Sequence, residues 1–397
     1  MLNTPFSSWP AYTEEEAQAV KSLILSNRVN YWTGSECRKF ENEFAEFSQT
    51  QYAIALANGT VALDVALKSL KIGFGDEVIV TSRTFLASVS SIVNLGAKPV
   101  FADVDSDAQN ISIGSIQAVL TDKTKAIVCV HLAGWPCDMD PIMQLANDAG
   151  LYVIEDCAQA HGAKYKGHSV GSIGHIGAWS FCQDKIMTTG GEGGMVTTND
   201  RALWSKMWSY KDHGKSWQAV YEREHPPGFR FLHDSFGTNG RMTEMQAIIG
   251  RIQLKRMADW TAKRQANAES IWRAARECKL LRVPKLSCEG CNSQCDSISG
   301  CSHAAYKCYV FVNGDEALRD ALMLAINDRG VPCFSGSCSE VYLEHAFDDT
   351  DFRPEERLPI AKKLGETSLM FLCHPTLTPV EIKKTCDVIR EIARSYE

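Results

Sequence analysis

The chain has 397 residues, which is enough for one large domain and a smaller second one. Apolar residues make up 45% and charged residues 22%, as in ordinary globular proteins, and this composition excludes global disorder. The net charge of −7 without a basic run speaks against nucleic-acid binding, and no apolar run approaches the ~20 residues of a membrane-spanning helix.

The cellular compartment is predicted from the N-terminal residues and the cysteines. No basic start followed by an apolar stretch is present, so no secretory signal is expected. Most of the 15 cysteines stand singly in apolar runs, as Cys129 does, which is typical of buried, reduced thiols. We therefore expect a cytoplasmic protein.

Short apolar runs alternate with helix-like segments through the first 200 residues. The predicted strands are 52–56, 77–81, 98–102, 125–130, 151–155, 177–181 and 195–198. The predicted helices are 60–70, 85–95, 115–120 and 138–149. This alternation predicts an α/β fold with a mostly parallel sheet covered by helices on both faces.

The pattern changes after Arg241. Residues 241–278 are predicted to form one long, bent helix, followed by a strand at 306–312 and a helix at 316–329. A last helix is predicted to begin at Pro379. We therefore expect a large cofactor-binding domain over residues 1–255 and a smaller α+β domain over residues 256–397.

Two segments carry reactive side chains at the ends of predicted strands. The strand at 151–155 runs into Asp156, and ligands of open parallel sheets bind beyond the carboxyl ends of the strands. Lys185 follows another strand and precedes a glycine-rich turn at 190–194, where the backbone can approach a ligand closely. A lysine partly withdrawn from water can form a Schiff base. The alternatives are a helix cap for the acid and a surface position for the lysine.

A third segment suits a phosphate group. The strand at 52–56 turns through Gly59 into a helix that begins near Thr60. The free amides and the dipole at such a helix start attract anions. Because many strand–helix turns look alike, this signal is weak by itself.

Together these segments resemble the DegT/DnrJ/EryC1/StrS family of sugar aminotransferases, which are fold-type-I pyridoxal-phosphate enzymes. The resemblance extends over nearly the whole chain and rests on many short segments in the same order. These segments are 29–34, 40–41, 57–63, 75–79, 101–104, 155–162, 177–194, 213–214 and 237–242.

The resemblance implies roles around the ring of pyridoxal 5'-phosphate. Lys185 would carry the cofactor and then move a proton between substrate and cofactor. Asp156 would pair with the pyridinium nitrogen, which makes the ring a better electron sink. Gln159 would contact the ring hydroxyl, and Phe85 would lie against the ring. A core position at a helix start is the alternative for Phe85.

The resemblance also implies how the phosphate is held. The amides of Thr60 and Val61, next to Gly59 and with the hydroxyl of Ser180, would bind it. Asn239 would reach the same phosphate from a second subunit, which implies a homodimer with shared active sites. Because Gly-Thr-Asn-Gly is typical of a turn, a turn residue is the alternative for Asn239.

The substrates follow from the same resemblance. It implies transfer of an amino group from L-glutamate, leaving 2-oxoglutarate, to a nucleotide-linked keto sugar, with pyridoxamine 5'-phosphate formed in the half-reaction. The product would serve a surface polysaccharide, such as lipopolysaccharide, or a secondary metabolite. The aromatic and charged segment 211–236 would contact substrate, with His213 and Arg230 as candidates. A structural histidine and an ordinary solvated loop are the alternatives.

Other functions remain open at this stage. Family members with histidine at the lysine position resemble sugar dehydratases, so Lys185 favours transamination over dehydration. A regulatory protein without catalysis is a further alternative. A nicotinamide dehydrogenase is disfavoured because no GxGxxG follows a predicted strand.

A cysteine-rich segment departs from the family pattern. Cys288, Cys291, Cys295 and Cys301 could hold a metal, but their spacing is shorter than in usual zinc sites. Free thiols and no metal are therefore the leading expectation.

Overall fold

The computed structural model describes residues 5–225, 227–228, 230–285, 300–336 and 340–397. The strands are β1 (Tyr52–Leu56), β2 (Glu77–Thr81), β3 (Lys98–Ala102), β4 (Thr124–Val130), β5 (Tyr152–Asp156), β6 (Lys164–Tyr165), β7 (His168–Ser169), β8 (Ile176–Ser180), β9 (Gly194–Thr198), β10 (Leu281–Arg282), β11 (Cys308–Val312), β12 (Cys333–Phe334) and β13 (Ser368–Phe371). The α-helices are α1 (Glu14–Leu25), α2 (Glu36–Phe47), α3 (Gly59–Ser69), α4 (Ala87–Val93), α5 (Ile113–Val119), α6 (Met139–Ala149), α7 (Arg201–Lys211), α8 (Trp217–Tyr221), α9 (Glu244–Leu254), α10 (Met257–Arg276), α11 (Glu316–Asp328), α12 (Pro359–Thr367) and α13 (Pro379–Tyr396).

The large sheet has seven strands in the order β1-β9-β8-β5-β4-β2-β3. The pairs from β8 to β3 are parallel, whereas β9 runs antiparallel to both β1 and β8. Val130 pairs with Asp156, and Asp156 pairs with Ala178, so β4, β5 and β8 end at the same edge. This confirms the predicted mostly parallel α/β fold.

Both faces of this sheet are buried, as its apolar strands predict. Ile54 and Leu56 of β1 belong to one apolar cluster, and Ala53 and Ala55 belong to another. Because successive side chains of a strand point to opposite faces, the two clusters lie on opposite sides of the sheet. Helices α3 and α7 pack against β1 and β9 and thereby cover one end of the sheet.

A second, antiparallel sheet lies in the C-terminal part, with the order β10-β11-β13-β12. Helices α10 and α11 pack against its strands, and α13 packs against both helices. Their core includes Ile271 and Trp272 of α10, Ile389 of α13 and Val310 of β11. The predicted boundary between residues 255 and 256 falls in the turn between α9 and α10, and the division into two domains stays a prediction.

The long helix predicted over residues 241–278 is wrong, because the chain forms α9 and α10 with a turn at Lys255 and Arg256. Helix α9 packs against α1 and α2, while α10 continues into the core of the second sheet. The side chain of Arg256 bonds Glu15 and Glu16 of α1 at the turn. Since the apolar spacing continues through both helices, the sequence pattern did not reveal the break. In the part of the chain that is described, no helix has the length and apolarity to cross a bilayer.

Candidate active site

A cleft of about 700 Å³ opens at the edge where β4, β5 and β8 end. It brings together residues that are far apart in sequence, from the start of α3 to the loop after β8. Eight of the predicted cofactor residues line it: Gly59, Thr60, Val61, Phe85, Asp156, Gln159, Ser180 and Lys185.

Asp156 is the last residue of β5 and is buried at the base of the cleft. Its Oδ2 accepts a hydrogen bond from Ser88 Oγ (2.8 Å), and its Oδ1 accepts one from the amide of Ala158 (3.1 Å). Burial raises the pKa of Asp156 above its usual range, against the opposing effects of these bonds and of the Lys185 charge. A cationic group placed beside this carboxylate would therefore be strongly stabilised.

The other acid at the end of β5, Glu155, has a structural role. It is fully buried, and His131 Nε2 lies 2.9 Å from its Oε2. Because neighbouring side chains of a strand alternate in direction, Glu155 faces away from Asp156. Its carboxylate accepts hydrogen bonds from the backbone amides of Gly171, Ile173 and Gly174.

Lys185 reaches the cleft from the loop after β8. Its Nζ lies 3.9 Å from Asp184 Oδ1 and 5.1 Å from the ring centroid of Tyr306. The backbone carbonyl of Lys185 accepts a hydrogen bond from Trp9 Nε1 (2.8 Å), which ties this loop to the N-terminal segment. The Lys185 side chain is therefore positioned by Asp184 and Tyr306, and its backbone is positioned by Trp9.

Asp184 and Tyr306 form a pair beside that amine. The Tyr306 hydroxyl donates to Asp184 Oδ2. Burial alone would raise the pKa of Asp184, but the Lys185 charge and the Tyr306 hydrogen bond hold it below its usual value. Asp184 is thus a carboxylate at neutral pH.

The start of α3 forms the opposite end of the cleft. Asn58 caps the helix, since its Oδ1 accepts from the Val61 amide (2.9 Å), and the Ala62 amide bonds the Asn58 carbonyl. The Thr60 amide lies in the first turn, where amides have no acceptor within the helix. The predicted phosphate contact of the Val61 amide must therefore compete with the Asn58 cap, and it stays a prediction.

Gly59 allows the start of α3 to approach the end of β8. A Cβ built on Gly59 would lie 2.6 Å from the Cβ of Ser180, closer than any tolerated contact. Only glycine permits this approach, which leaves the Ser180 hydroxyl beside the amides of the helix start.

Phe85 and Gln159 line the middle of the cleft. The helix predicted from residue 85 begins at Ala87, and the ring of Phe85 is 65% exposed, so its alternative as a core residue is wrong. Gln159 is buried, and its Oε1 accepts from the amide of Ala133 (2.8 Å). The side-chain NH2 is then its hydrogen-bond donor.

Three predicted residues do not line this cleft. Asn239, His213 and Arg230 are all exposed on the same chain. Asn239 pairs with Asp212 in an isolated antiparallel bridge, and the amide of His213 bonds the carbonyl of Thr238. The structure of one chain therefore leaves their roles open.

Sequence reasoning missed Ser88, Asp184 and Tyr306. Ser88 stands three residues after Phe85, so a helical spacing could have drawn attention to it. Asp184 directly precedes the lysine and was visible in the motif. Tyr306 comes from the C-terminal part, and no local signal connects it to Lys185.

The cysteine-rich segment lies mostly outside the described residues, since Cys288, Cys291 and Cys295 belong to the range 286–299. Cys301 is buried, and its Sγ accepts a hydrogen bond from the amide of Lys166 (3.1 Å). The expectation of free thiols without a metal stays a prediction.

Comparison with known proteins gives consistent results. The sequence profile of the DegT/DnrJ/EryC1/StrS aminotransferase family matches residues 10–390. A GDP-perosamine synthase of Escherichia coli O157:H7 is 44% identical over 260 residues, which are 66% of this chain and 68% of that protein. A UDP-N-acetyl-3-dehydro-alpha-D-glucosamine 3-aminotransferase of Acidithiobacillus ferrooxidans is 36% identical over 91% of this chain and 90% of its own.

A solved structure is also very similar. The crystal structure of an aminotransferase from Psychrobacter cryohalolentis superimposes with a TM-score of 0.94 at 65% identity, covering 98% of this chain and 99% of that one. The predicted fold is thereby confirmed over nearly the full length.

Proposed function

The chain belongs to the DegT/DnrJ/EryC1/StrS aminotransferase family, and we propose that it uses pyridoxal 5'-phosphate to transfer an amino group from L-glutamate to a nucleotide-linked keto sugar. The predicted family is confirmed, and the chain is a sugar aminotransferase of amino-sugar biosynthesis. The nucleotide link is supported by the names of relatives, which refer to GDP and UDP sugars. Surface polysaccharide, including lipopolysaccharide, and secondary metabolites are the proposed destinations of the product.

One observation supports the cofactor most strongly, namely the set of groups that share the cleft. It contains an amine at Lys185, a buried carboxylate at Asp156, an exposed aromatic ring at Phe85 and a helix start at Thr60. These match the aldehyde, ring nitrogen, ring face and phosphate of pyridoxal phosphate, in that order. The desolvated Asp156 in particular fits a cationic ring nitrogen. The residues present therefore fit the cofactor.

The chain's own groups have distinct tasks in the reaction. Pyridoxal phosphate, when bound, supplies an electron sink for negative charge on the substrate carbon. Lys185 would hold the cofactor through Nζ, and its free amine would carry the proton that leaves the substrate carbon across to the cofactor. Asp156 would keep the ring nitrogen protonated, and Asp184 with Tyr306 holds the lysine side chain in place.

We also propose that two chains complete each other's sites. Asn239 lies on an exposed segment beside Phe236, whose side chain is fully exposed, and Phe231 is 79% exposed. Exposed aromatic side chains of this kind suit burial against a partner. Asn239 would bind the phosphate in the partner's cleft, and His213 and Arg230 would contact the sugar nucleotide from the same segment. A cytoplasmic location is proposed because the cysteines among the described residues are all free.

The test is amino transfer to a panel of nucleotide-linked keto sugars. Cofactor-loaded protein is mixed with L-glutamate and each sugar, and 2-oxoglutarate and the amino sugar are measured by mass spectrometry. We expect both products in equal amounts with the wild type and neither with Lys185→Ala. Borohydride should fix the cofactor to Lys185, which peptide mapping shows.

Two results would point to the alternatives. Loss of water from the sugar without consumption of glutamate would indicate a dehydratase. Full biological activity of Lys185→Ala would indicate a regulatory protein.

A further inference from the structure

A second, smaller cavity adjoins the cleft, and we call it the side cavity. Its volume is about 200 Å³, and it shares Asp184 and Tyr306 with the cleft. Its other polar lining consists of Ser7, Ser8, Trp9, Arg264, Lys307 and His374. Among the described residues, the Asp184–Tyr306 pair beside Lys185 is the part of the lining that both spaces share.

Arg264 of α10 is buried, and no carboxylate in the described part of the chain forms an ion pair with it. Its side chain is 1% exposed, and its Nε and Nη2 have no hydrogen-bond partner in the described part of the chain. Nη1 makes one long hydrogen bond to the carbonyl of Tyr306 (3.4 Å), and Cζ lies 4.8 Å from the ring centroid of Trp9. Burial lowers the pKa of Arg264 to about 10, so the group is still a cation at neutral pH. Such a charge is costly unless an anion pairs with it.

The other groups that line the side cavity also favour an anionic ligand. Burial lowers the pKa of Lys307, although Asp184 opposes this effect. Burial and the charges of Arg264 and Lys307 lower the pKa of His374 to about 4, so its ring is neutral at pH 7. The side cavity is therefore lined by the Arg264 cation and the Lys307 amine, and Asp184 is the one carboxylate among its described lining residues. Asp184 also lies 3.9 Å from the Lys185 amine.

We propose that the side cavity binds a carboxylate group of the amino donor and of its keto-acid product, with Arg264 and Lys307 as the binding side chains. The proposal rests on the proposed function. A planar guanidinium with two unused nitrogen donors matches a carboxylate, which accepts two parallel hydrogen bonds. The position next to Lys185 suits a carboxylate attached to the reacting carbon. The small volume admits this group and excludes a sugar nucleotide, which belongs in the larger cleft.

The test measures binding without turnover. Calorimetry on the cofactor-loaded enzyme with 2-oxoglutarate is suitable because this keto acid does not react with the aldehyde form. We expect Arg264→Met to weaken binding about 30-fold, as for loss of hydrogen bonds to a charged group, and Arg264→Lys to restore part of it. Arg273→Met is the matched control, since Arg273 is exposed on the same helix, and it should bind as the wild type does.

Steady-state kinetics give a second readout. In Arg264→Met the KM for L-glutamate should rise about 30-fold while the KM for the keto sugar stays within twofold. Far-UV circular dichroism of both variants checks that they fold. If Arg264→Met does not fold, the same binding and kinetic measurements are made on Arg264→Lys.

Several results would overturn the proposal. Unchanged affinity of Arg264→Met for 2-oxoglutarate is one, and an equal rise of both KM values is another. Competition by chloride or inorganic phosphate as strong as that by 2-oxoglutarate would identify a general anion site instead. Failure of the proposed function would appear separately, as absence of amino transfer in a protein that still binds 2-oxoglutarate.

Discussion

Ser88 donates a hydrogen bond of 2.8 Å to Asp156, which joins the first turn of α4 to the end of β5. The Ser88 hydroxyl also lies 2.7 Å from that of Thr84, so it can accept from Thr84 while it donates to the carboxylate. This chain of hydroxyl groups fixes the direction of the carboxylate inside the cleft. Asp156 can then face a ring nitrogen without reorganisation.

Ser88→Ala should lower kcat about tenfold, since a hydrogen bond to a charged group contributes roughly 1.5 kcal/mol or more. Cofactor affinity measured by absorbance titration should fall as well. Ser90→Ala on the same helix is the control, and it should retain wild-type kinetics. Equal kinetics of the two variants would show that Ser88 does not orient the carboxylate.

The raised pKa of Asp156 predicts a pH dependence of the cofactor-free protein. The native carboxyl releases its proton at a higher pH than the ordinary value of 3.8 in the unfolded chain. Its contribution to stability is therefore present at low pH and is lost as the pH rises through the native pKa. Relative to Asp156→Asn, the wild type should lose free energy of unfolding as the pH rises above about 4. Urea unfolding at a series of pH values measures this difference, and a constant difference would contradict it.

Gly59→Ala should weaken cofactor binding severely, because the new Cβ would lie 2.6 Å from that of Ser180 and would push α3 away from β8. Gly114→Ala in α5 is a matched control, since nothing lies within 4 Å of its Cβ position. That variant should gain up to about 1 kcal/mol of stability from helix propensity and bind the cofactor normally. Absorbance titration and thermal unfolding distinguish the two, and similar titration curves would contradict the prediction.

The proposed sharing of active sites between two subunits predicts complementation between two inactive chains. Lys185→Ala and Asn239→Ala should each lose most activity as homodimers. Mixed by co-expression, they form dimers in which one site has an intact lysine and an intact asparagine. About a quarter of the wild-type activity should return, since half of the dimers are mixed and half of their sites are intact. Activity no higher than the average of the two parents would show that each chain uses its own Asn239.

A buried ion pair away from the cleft predicts a stability effect. Lys211 is fully buried, with its Nζ 3.9 Å from Glu41 Oε1 and 3.4 Å from the ring centroid of Tyr31. Burial lowers the pKa of Lys211 although Glu41 opposes it. Lys211→Met should cost about 3 kcal/mol because it leaves Glu41 without its partner, and Glu41→Gln combined with Lys211→Met should cost less. Urea unfolding of the single and double variants measures both values, and additive losses would contradict the prediction.

Much of the fold could be predicted from local pattern. The runs at 52–56, 77–81 and 98–102 are strands with the predicted bounds, because strands that are buried on both faces of a sheet leave continuous apolar runs between turn residues. The turn at Lys255 and Arg256 could not be predicted, because apolar spacing continues through it. It is set by which core each helix packs against, and that is a property of the assembled chain.

The cleft residues that could be predicted from the sequence are those with a recognisable local motif. Lys185 beside a glycine-rich turn and Asp156 at a strand end each combine a reactive group with a distinctive neighbourhood, and both line the cleft. Asn239, by contrast, carries a turn motif that suits either a loop or a partner's site, and one chain alone does not bring it to the cleft. The role proposed for Asn239 requires a second copy of the protein.

By itself, the sequence determined the family and the strands and helices of the large sheet, and it predicted Lys185 and Asp156 as the reactive amine and its carboxylate, because each of these rests on short segments with a distinctive pattern. Only the tertiary structure decided that Tyr306 meets Asp184 beside that amine. It also decided that Arg264 is buried and lines the same cavity as Lys307, with no ion-pair partner among the described residues. These contacts join the C-terminal sheet and α10 to the loop after β8. These contacts are determined by the packing of segments that are distant in sequence. A short stretch of sequence therefore cannot predict which buried side chains will lack a partner.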